Sequence, residues 1–239
     1  MKSSVIVIGA SGGIGSGVVA RLLADGYAVV AVGRHRDTLL GLADRLKQPA
    51  ELTLLPASVE SESNGRDLVQ QLVALRRRYA GAVVAIGPNR DCGRLMDRDE
   101  VFLEDRLHAH VVSQFTAARH LVPFLAQGSP NALFLSIASG ATEKPWPELG
   151  HFSIASAALR MLGKVIHAES QALPVRVQQL ALDGPVHTHR NGDYADSEWI
   201  DVGRVGQAVS ELLQNSDGTA AVVRLDAGGV MHPVFEKPN

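Results

Sequence analysis

Short apolar runs alternate with longer stretches in which apolar residues recur every three or four positions. The runs SVIVIGA (Ser4–Ala10), YAVVAVGR (Tyr27–Arg34), ELTLLPAS, GAVVAIG, NALFLSIAS, PVRVQQLAL and AAVVRLDAGG read as strands. Between them, Gly13–Gly26, Asp37–Lys47, Arg66–Tyr79, Glu100–Ala126, Gly150–Ala172 and Val202–Gln214 read as helices. The strand runs are continuously apolar rather than alternating, so both faces of the sheet must be covered, and covered sheets are parallel. The pattern therefore predicts a doubly wound α/β sheet of seven parallel strands with helices on both faces. No repeat, low-complexity segment or linker interrupts it, which predicts one domain over residues 1–239. In such a sheet ligands bind at the carboxyl ends of the strands, where the strand order reverses.

Composition narrows the function classes. The chain has 239 residues, 46% of them hydrophobic, and a formal net charge of -2. That balance gives no global attraction to nucleic acid or to an anionic membrane. The run Arg76–Arg78 falls at a predicted helix end, where cations suit the helix dipole. A single cysteine, Cys92, excludes an internal disulfide or a cysteine metal cluster and fits a reducing, cytoplasmic setting. The N-terminal apolar run breaks into glycines too early for a signal peptide, and the longest apolar runs fall far short of the ~18 residues of a membrane span.

The loop after the first strand reads Gly9-Ala10-Ser11-Gly12-Gly13-Ile14-Gly15. Glycines at 9, 13 and 15 allow a tight turn and close approach of backbone to phosphate, and the helix that follows offers unpaired N–H groups. A glycine-rich loop is weak alone, but this one leaves a strand and opens a helix, the context that dinucleotide binding requires. The second strand ends Gly33-Arg34, with Arg36 nearby and no acid before Asp37. An acid there would bind a ribose 2′-hydroxyl, whereas an arginine pairs with a 2′-phosphate, so the expected cofactor is NADP(H) in preference to NAD(H).

The spacing Gly-x-x-x-Gly-x-Gly in GASGGIG resembles the short-chain dehydrogenase/reductase family, and the resemblance runs along nearly the whole chain. It implies a Rossmann-like fold and an oxidoreductase acting on a carbonyl or alcohol. The cofactor-binding set it implies is Gly9, Ser11, Gly12, Gly13, Ile14, Gly15 and Arg34, then Ser58 and Val59 where the family has an adenine-facing aspartate. Gly87 keeps the backbone approach after the fourth strand, where the family's asparagines are missing from Val84-Ala85-Ile86-Gly87. Gly184, Val186 and Thr188 match the loop at the nicotinamide end, with Asp183 in place of a proline.

The catalytic half departs from the pattern. Ser139 stands at the family's active-site serine, thirteen residues before the position of its tyrosine. The Tyr-x-x-x-Lys pair falls on Phe152 and Ser156, and the helix asparagine on His110. Phe152 cannot donate a proton, and Ser156 has no charge to lower a phenol's pKa from ~10. Loss of general acid catalysis alone costs about 10²–10⁴ in rate. Ser139 and His110 are the remaining catalytic candidates, with His187 and His189 in the loop after the sixth strand. His151 points roughly 100° away from Phe152 around the helix. His187-x-His189 lacks the further ligands of a metal site, so no metal is expected.

Two functions remain open. One is an NADP(H)-dependent oxidoreductase that takes its proton from His110, Ser139, a loop histidine or water. The other is a non-catalytic NADP(H)-binding sensor, or a partner subunit for an active relative. A lyase or dehalogenase reading is disfavoured by the intact nucleotide loop. The resemblance implies a homodimer or homotetramer. Tyr194, Trp199, Trp146 and the stretch Glu143–Gly150 border the expected pocket for a small-molecule substrate.

Overall fold

The structure, a computed structural model, describes residues 3–87, 91–140, 145–192 and 196–235. Tyr194 and Glu143, named above as pocket residues, lie outside the described residues. The chain runs β1 (Ser4–Ile8), α1 (Gly13–Ala24), β2 (Ala28–Gly33), α2 (Arg36–Arg45), β3 (Leu52–Pro56), α3 (Glu62–Ala74), β4 (Tyr79–Val84), α4 (Glu100–Leu107) and α5 (Ser113–Gly128). It continues β5 (Ala132–Ser139), α6 (Gly150–Glu169), β6 (Val175–Leu182), β7 (Val186–His187), β8 (Ile200–Asp201), α7 (Val202–Gln214), β9 (Val222–Leu225) and β10 (Met231–Val234).

The central sheet has the order β10-β9-β6-β5-β4-β1-β2-β3. All neighbours are parallel except β9 and β10, which pair antiparallel. The expected seven parallel strands are present, but the sheet has eight: β10 turns back after Asp226–Gly229 and covers the edge of β9. The strand order reverses between β1 and β4, so the crevice at their carboxyl ends is the expected binding place.

The continuous apolar strands bury both faces. On one side Val5, Val7, Val29 and Ala31 pack with Val18, Val19 and Leu22 of α1, Leu39 of α2 and Val205 and Val209 of α7. On the other, Ile6, Ile8, Val30 and Val84 pack with Leu68 and Leu72 of α3 and Ala117 and Leu121 of α5. Successive strand residues point to opposite faces, so an unbroken apolar run is what two covered faces demand.

Two helical stretches differ most from the sequence pattern. The third helix starts at Glu62, four residues before Arg66, because the Ser61 hydroxyl accepts from the Asn64 N–H and caps it. It ends at Ala74, and Arg76, at φ 50, turns the chain so that Tyr79 joins β4. The helical region Glu100–Ala126 is not one regular helix either. Between α4 and α5 lies a π-helical turn, His108–Val112, in which the Ser113 N–H bonds the His108 carbonyl five residues back.

Candidate functional site

The loop from β1 to α1 is held by its own backbone. Gly9 and Ala10 donate to the Val32 carbonyl at 3.0 and 3.2 Å, and Gly12 donates to the Gly9 carbonyl at 2.9 Å. Gly9 sits at φ 78, and a Cβ on it would lie 2.5 Å from the Ala85 carbonyl oxygen, just past the end of neighbouring β4. A Cβ on Gly15 would overlap the Gly9 carbonyl oxygen. These two positions therefore need glycine. The helix they open, like α2 and α6, starts without a side-chain cap, and among helices that follow a strand's carboxyl end it is the one behind the glycine loop. The amino ends of α3, α4 and α7 are capped by the side chains of Ser61, Asp99 and Asp201. Gly12 gives α1 no side-chain cap, and its first turn holds no acid. The N–H groups of Gly13, Ile14 and Gly15 have no partner within the helix. They and the dipole make a positive end open to an anion.

Ser11 lies at the junction of three elements. Its hydroxyl donates to Thr38 Oγ1 at 3.2 Å, and Thr38 in turn donates to the His35 carbonyl at 2.9 Å. Arg34, at the carboxyl end of β2, is exposed but not unpaired: its guanidinium meets the Glu60 carboxylate. Ser58 also donates to Glu60, at 3.2 Å, and its oxygen accepts the Glu60 N–H. Val59 is buried. Glu60 thus draws in both the arginine and the serine that sequence reading assigned to the nucleotide, and nothing in the pattern of β3 signals it. Because both partners are largely exposed, the ion pair is worth only ~0.2–1 kcal/mol and yields readily to a stronger anion.

The segment after β6 folds over the glycine loop as a strap. Val186 begins the short parallel ribbon β7–β8. Thr188 donates its N–H and hydroxyl to Asn191 Oδ1 at 2.7 and 2.9 Å, and Asn191 Nδ2 donates to the Val186 carbonyl at 2.9 Å. This closed set of bonds on a buried asparagine fixes the strap. Thr188 stands directly against Gly13, and Arg190 donates to the Ser11 carbonyl at 2.9 Å. Gly184 lies just before the ribbon, and Asp183 is engaged by Arg224 of β9 at 2.8 Å. His189 is placed differently from the sequence expectation. It lies against Ser16 of α1, 3.2 Å away, at the glycine-loop end rather than beside Phe152. His187 is exposed on β7. Among the described residues no three histidine, cysteine or acidic side chains group as metal ligands.

At the other end of the crevice the structure brings His110 and Phe152 together. Their rings lie nearly parallel with centroids 6.3 Å apart. Trp146 also packs on Phe152, tilted, with centroids 5.6 Å apart. His110 is on the π-helical turn, and its Nδ1 is buried without a hydrogen-bond partner. Burial pushes its pKa down to about 4; the Ile86 backbone acts the other way, and nearby His151 lowers it further. His151 does point away from Phe152, but not to solvent: it is buried, edge-on to Phe102 at 5.3 Å. Ser156, one turn after Phe152, is also buried, and its hydroxyl has no partner. Gln114 Oε1 and Gln179 Oε1 are unpartnered too. Both line a cavity of about 10 Å³ between α5 and α6, space for roughly one water. Ser139 ends β5 in register with Leu182, and Gly87 follows β4, exposed.

Comparison with known proteins places this arrangement. The family model described as short chain dehydrogenase matches residues 3–199. The oxidoreductase YmfI of Bacillus subtilis, itself uncharacterized, is 23% identical over 206 residues, 83% of this chain and 81% of its own. A short-chain type dehydrogenase/reductase from Mycobacterium ulcerans superposes with a TM-score of 0.83 at 23% identity, covering 95% of this chain and 89% of that one. An alcohol dehydrogenase from Thermococcus sibiricus, complexed with 5-hydroxy-NADP, has a TM-score of 0.81 at 20% identity over the whole of both chains.

Proposed function

The chain belongs to the short-chain dehydrogenase family, and on that premise we propose that residues 1–239 form a single domain that binds NADP(H) in preference to NAD(H) and acts as an oxidoreductase on a carbonyl or alcohol. The observation that carries the reading is the amino end of α1, left without a side-chain cap or an acid behind a glycine loop whose geometry admits nothing larger. Gly9, Ser11, Gly12, Gly13, Ile14 and Gly15 hold the cofactor's diphosphate. Arg34 exchanges Glu60 for the 2′-phosphate, a stronger bidentate acceptor. Ser58 and Val59 border the adenine, and Gly87, Gly184, Val186 and Thr188 border the nicotinamide end. The Thermococcus relative's bound NADP derivative supports the choice of cofactor.

The cofactor, when bound, supplies or accepts a hydride at the nicotinamide ring. The protein's own task is the proton, and here Phe152 and Ser156 leave it without the phenol and ammonium of the family pattern. His110 takes that role, with Ser139 beside the reacting oxygen. At neutral pH its imidazole is uncharged and its Nδ1 lone pair is free, so it accepts a proton from an alcohol more readily than it gives one to a carbonyl.

A second reading, cofactor binding without turnover, draws on the packing of Phe152 against His110 and Trp146, which fills the proton donor's place with hydrocarbon. The double variant Phe152→Tyr with Ser156→Lys tests the site. It is expected to raise NADPH-dependent reduction over a carbonyl panel by about 10²-fold or more. No gain over the panel would refute the reading of a redox site altered only in its proton donor. We further infer a cytoplasmic homodimer or homotetramer with a small-molecule substrate. Ile154, Met161 and Val165, exposed along one stripe of α6, and Phe115 of α5 supply an apolar surface for self-association.

A further inference from the structure

The glycine loop is crossed by an arginine that the family pattern does not account for. Arg190 stands on the strap, two residues beyond Thr188, and its Nη2 reaches the Ser11 carbonyl. Its backbone is anchored, since the Arg190 N–H bonds Thr188 Oγ1 at 3.3 Å and buried Asn191 ties the same turn to β7. The guanidinium is thus delivered from a rigid base. The Ser11 hydroxyl lies on Thr38 in the first turn of α2, just beyond the end of β2. Arg190 therefore spans the crevice from the strap to the ribose end of the loop, close to the open amino end of α1.

The positive charge there is unspent. Arg34 is paired with Glu60. Among the described residues, Arg190 and Arg45 have no carboxylate partner, and Arg190 has only a neutral carbonyl. Both act on His189, whose charged form is disfavoured first by partial burial and then by Arg45 and Arg190. The Ser16 hydroxyl fixes that ring. Ser16 Oγ lies 2.9 Å from the Gly13 carbonyl and 3.2 Å from His189 Nδ1. His189 pins the strap to the first turns of α1, and Arg190 carries the charge across the crevice.

We propose that Arg190 is a phosphate-binding residue of the cofactor crevice: on binding, its guanidinium leaves the Ser11 carbonyl and pairs with a phosphate of the dinucleotide, within a positive field to which Arg45 contributes. This rests on the reading that the crevice takes a nicotinamide dinucleotide. The exchange is favourable because a charge-assisted, two-pronged contact with phosphate is roughly twice as strong as one with a neutral carbonyl.

Calorimetric titration of wild type and Arg190→Met with NADPH and with NADH tests it, alongside thermal melts of both proteins. Arg190→Met is expected to lose about ten- to a hundredfold in NADPH affinity, the range of a hydrogen bond to a charged group, with the melting temperature unchanged. A parallel loss for NADH assigns Arg190 to the diphosphate, and an intact NADH affinity assigns it to the 2′-phosphate. Arg190→Lys, which keeps the charge, should recover part of the loss; if Arg190→Met proves unstable, Arg190→Lys and Arg190→Gln are compared instead, and equal affinities refute the proposal. Unchanged binding of both cofactors by stable Arg190→Met overturns it while leaving the dinucleotide reading intact. Failure of wild type to bind either cofactor overturns both.

Discussion

Acidification below neutrality should destabilise this fold through His110. The imidazole is 5% exposed, its Nδ1 has no partner, and burial brings its pKa down to about 4 from the ordinary 6.5. An unfolded chain takes up this proton near pH 6.5, whereas the folded one resists until about pH 4. The stability tied to neutral His110 is therefore complete above pH 6.5, falls as the pH drops from 6.5 to 4, and falls no further below that. The full difference corresponds to about 3 kcal/mol, lost at about 1.4 kcal/mol per pH unit, a large part of a typical domain's stability. The groups that act on the ring are the Ile86 backbone, which favours the charge, and His151, which opposes it. The assay is urea unfolding followed by tryptophan fluorescence at pH steps from 7.5 to 4.5, on wild type and His110→Asn. Carboxylates held down by ion pairs, such as Asp25 and Asp226, lose their contribution at still lower pH and do so in both proteins. The wild type should show the extra loss and His110→Asn should not. Parallel curves for the two proteins would refute a buried, neutral His110.

Other substitutions probe the crevice and the strap. Glu60→Gln releases Arg34, so NADPH affinity should rise by up to about fivefold, the ~0.2–1 kcal/mol of the exposed pair, with NADH unaffected in the same titration. Asn191→Ala breaks the bonds to Thr188 and Val186 and leaves buried groups unpaired, so chemical unfolding should report a loss of about 2–4 kcal/mol and cofactor affinity should drop with it. Gly15→Ala forces a methyl group into the Gly9 carbonyl, and calorimetry should find no dinucleotide binding even where circular dichroism still shows a folded sheet.

The parallel sheet was legible because covered strands must be apolar throughout, and Val5–Ile8 or Val29–Val32 can be little else. The eighth strand was not. Met231–Val234 contains Pro233 and exposed His232, and a partly exposed edge strand needs no apolar run. The glycine loop announced itself by spacing, since Gly9 and Gly15 are dictated by backbone contacts that only glycine tolerates. Glu60 and Arg190 did not, because each acts through a partner distant in sequence, Arg34 and Ser11. Asn191 alone left a trace, three residues after Thr188 at the spacing of a side-chain turn. The π-helical turn that carries His110 has no pattern of its own, being one extra residue in an otherwise regular helix.

The measurement that tests the account most directly is calorimetric titration of the purified protein with NADPH and, separately, with NADH. Saturable binding of NADPH at least tenfold tighter than that of NADH, the contribution of one charge-assisted phosphate contact, is the predicted result. Binding of neither cofactor would contradict the dinucleotide reading, and equal affinity for the two would contradict the preference assigned to the arginines of the crevice.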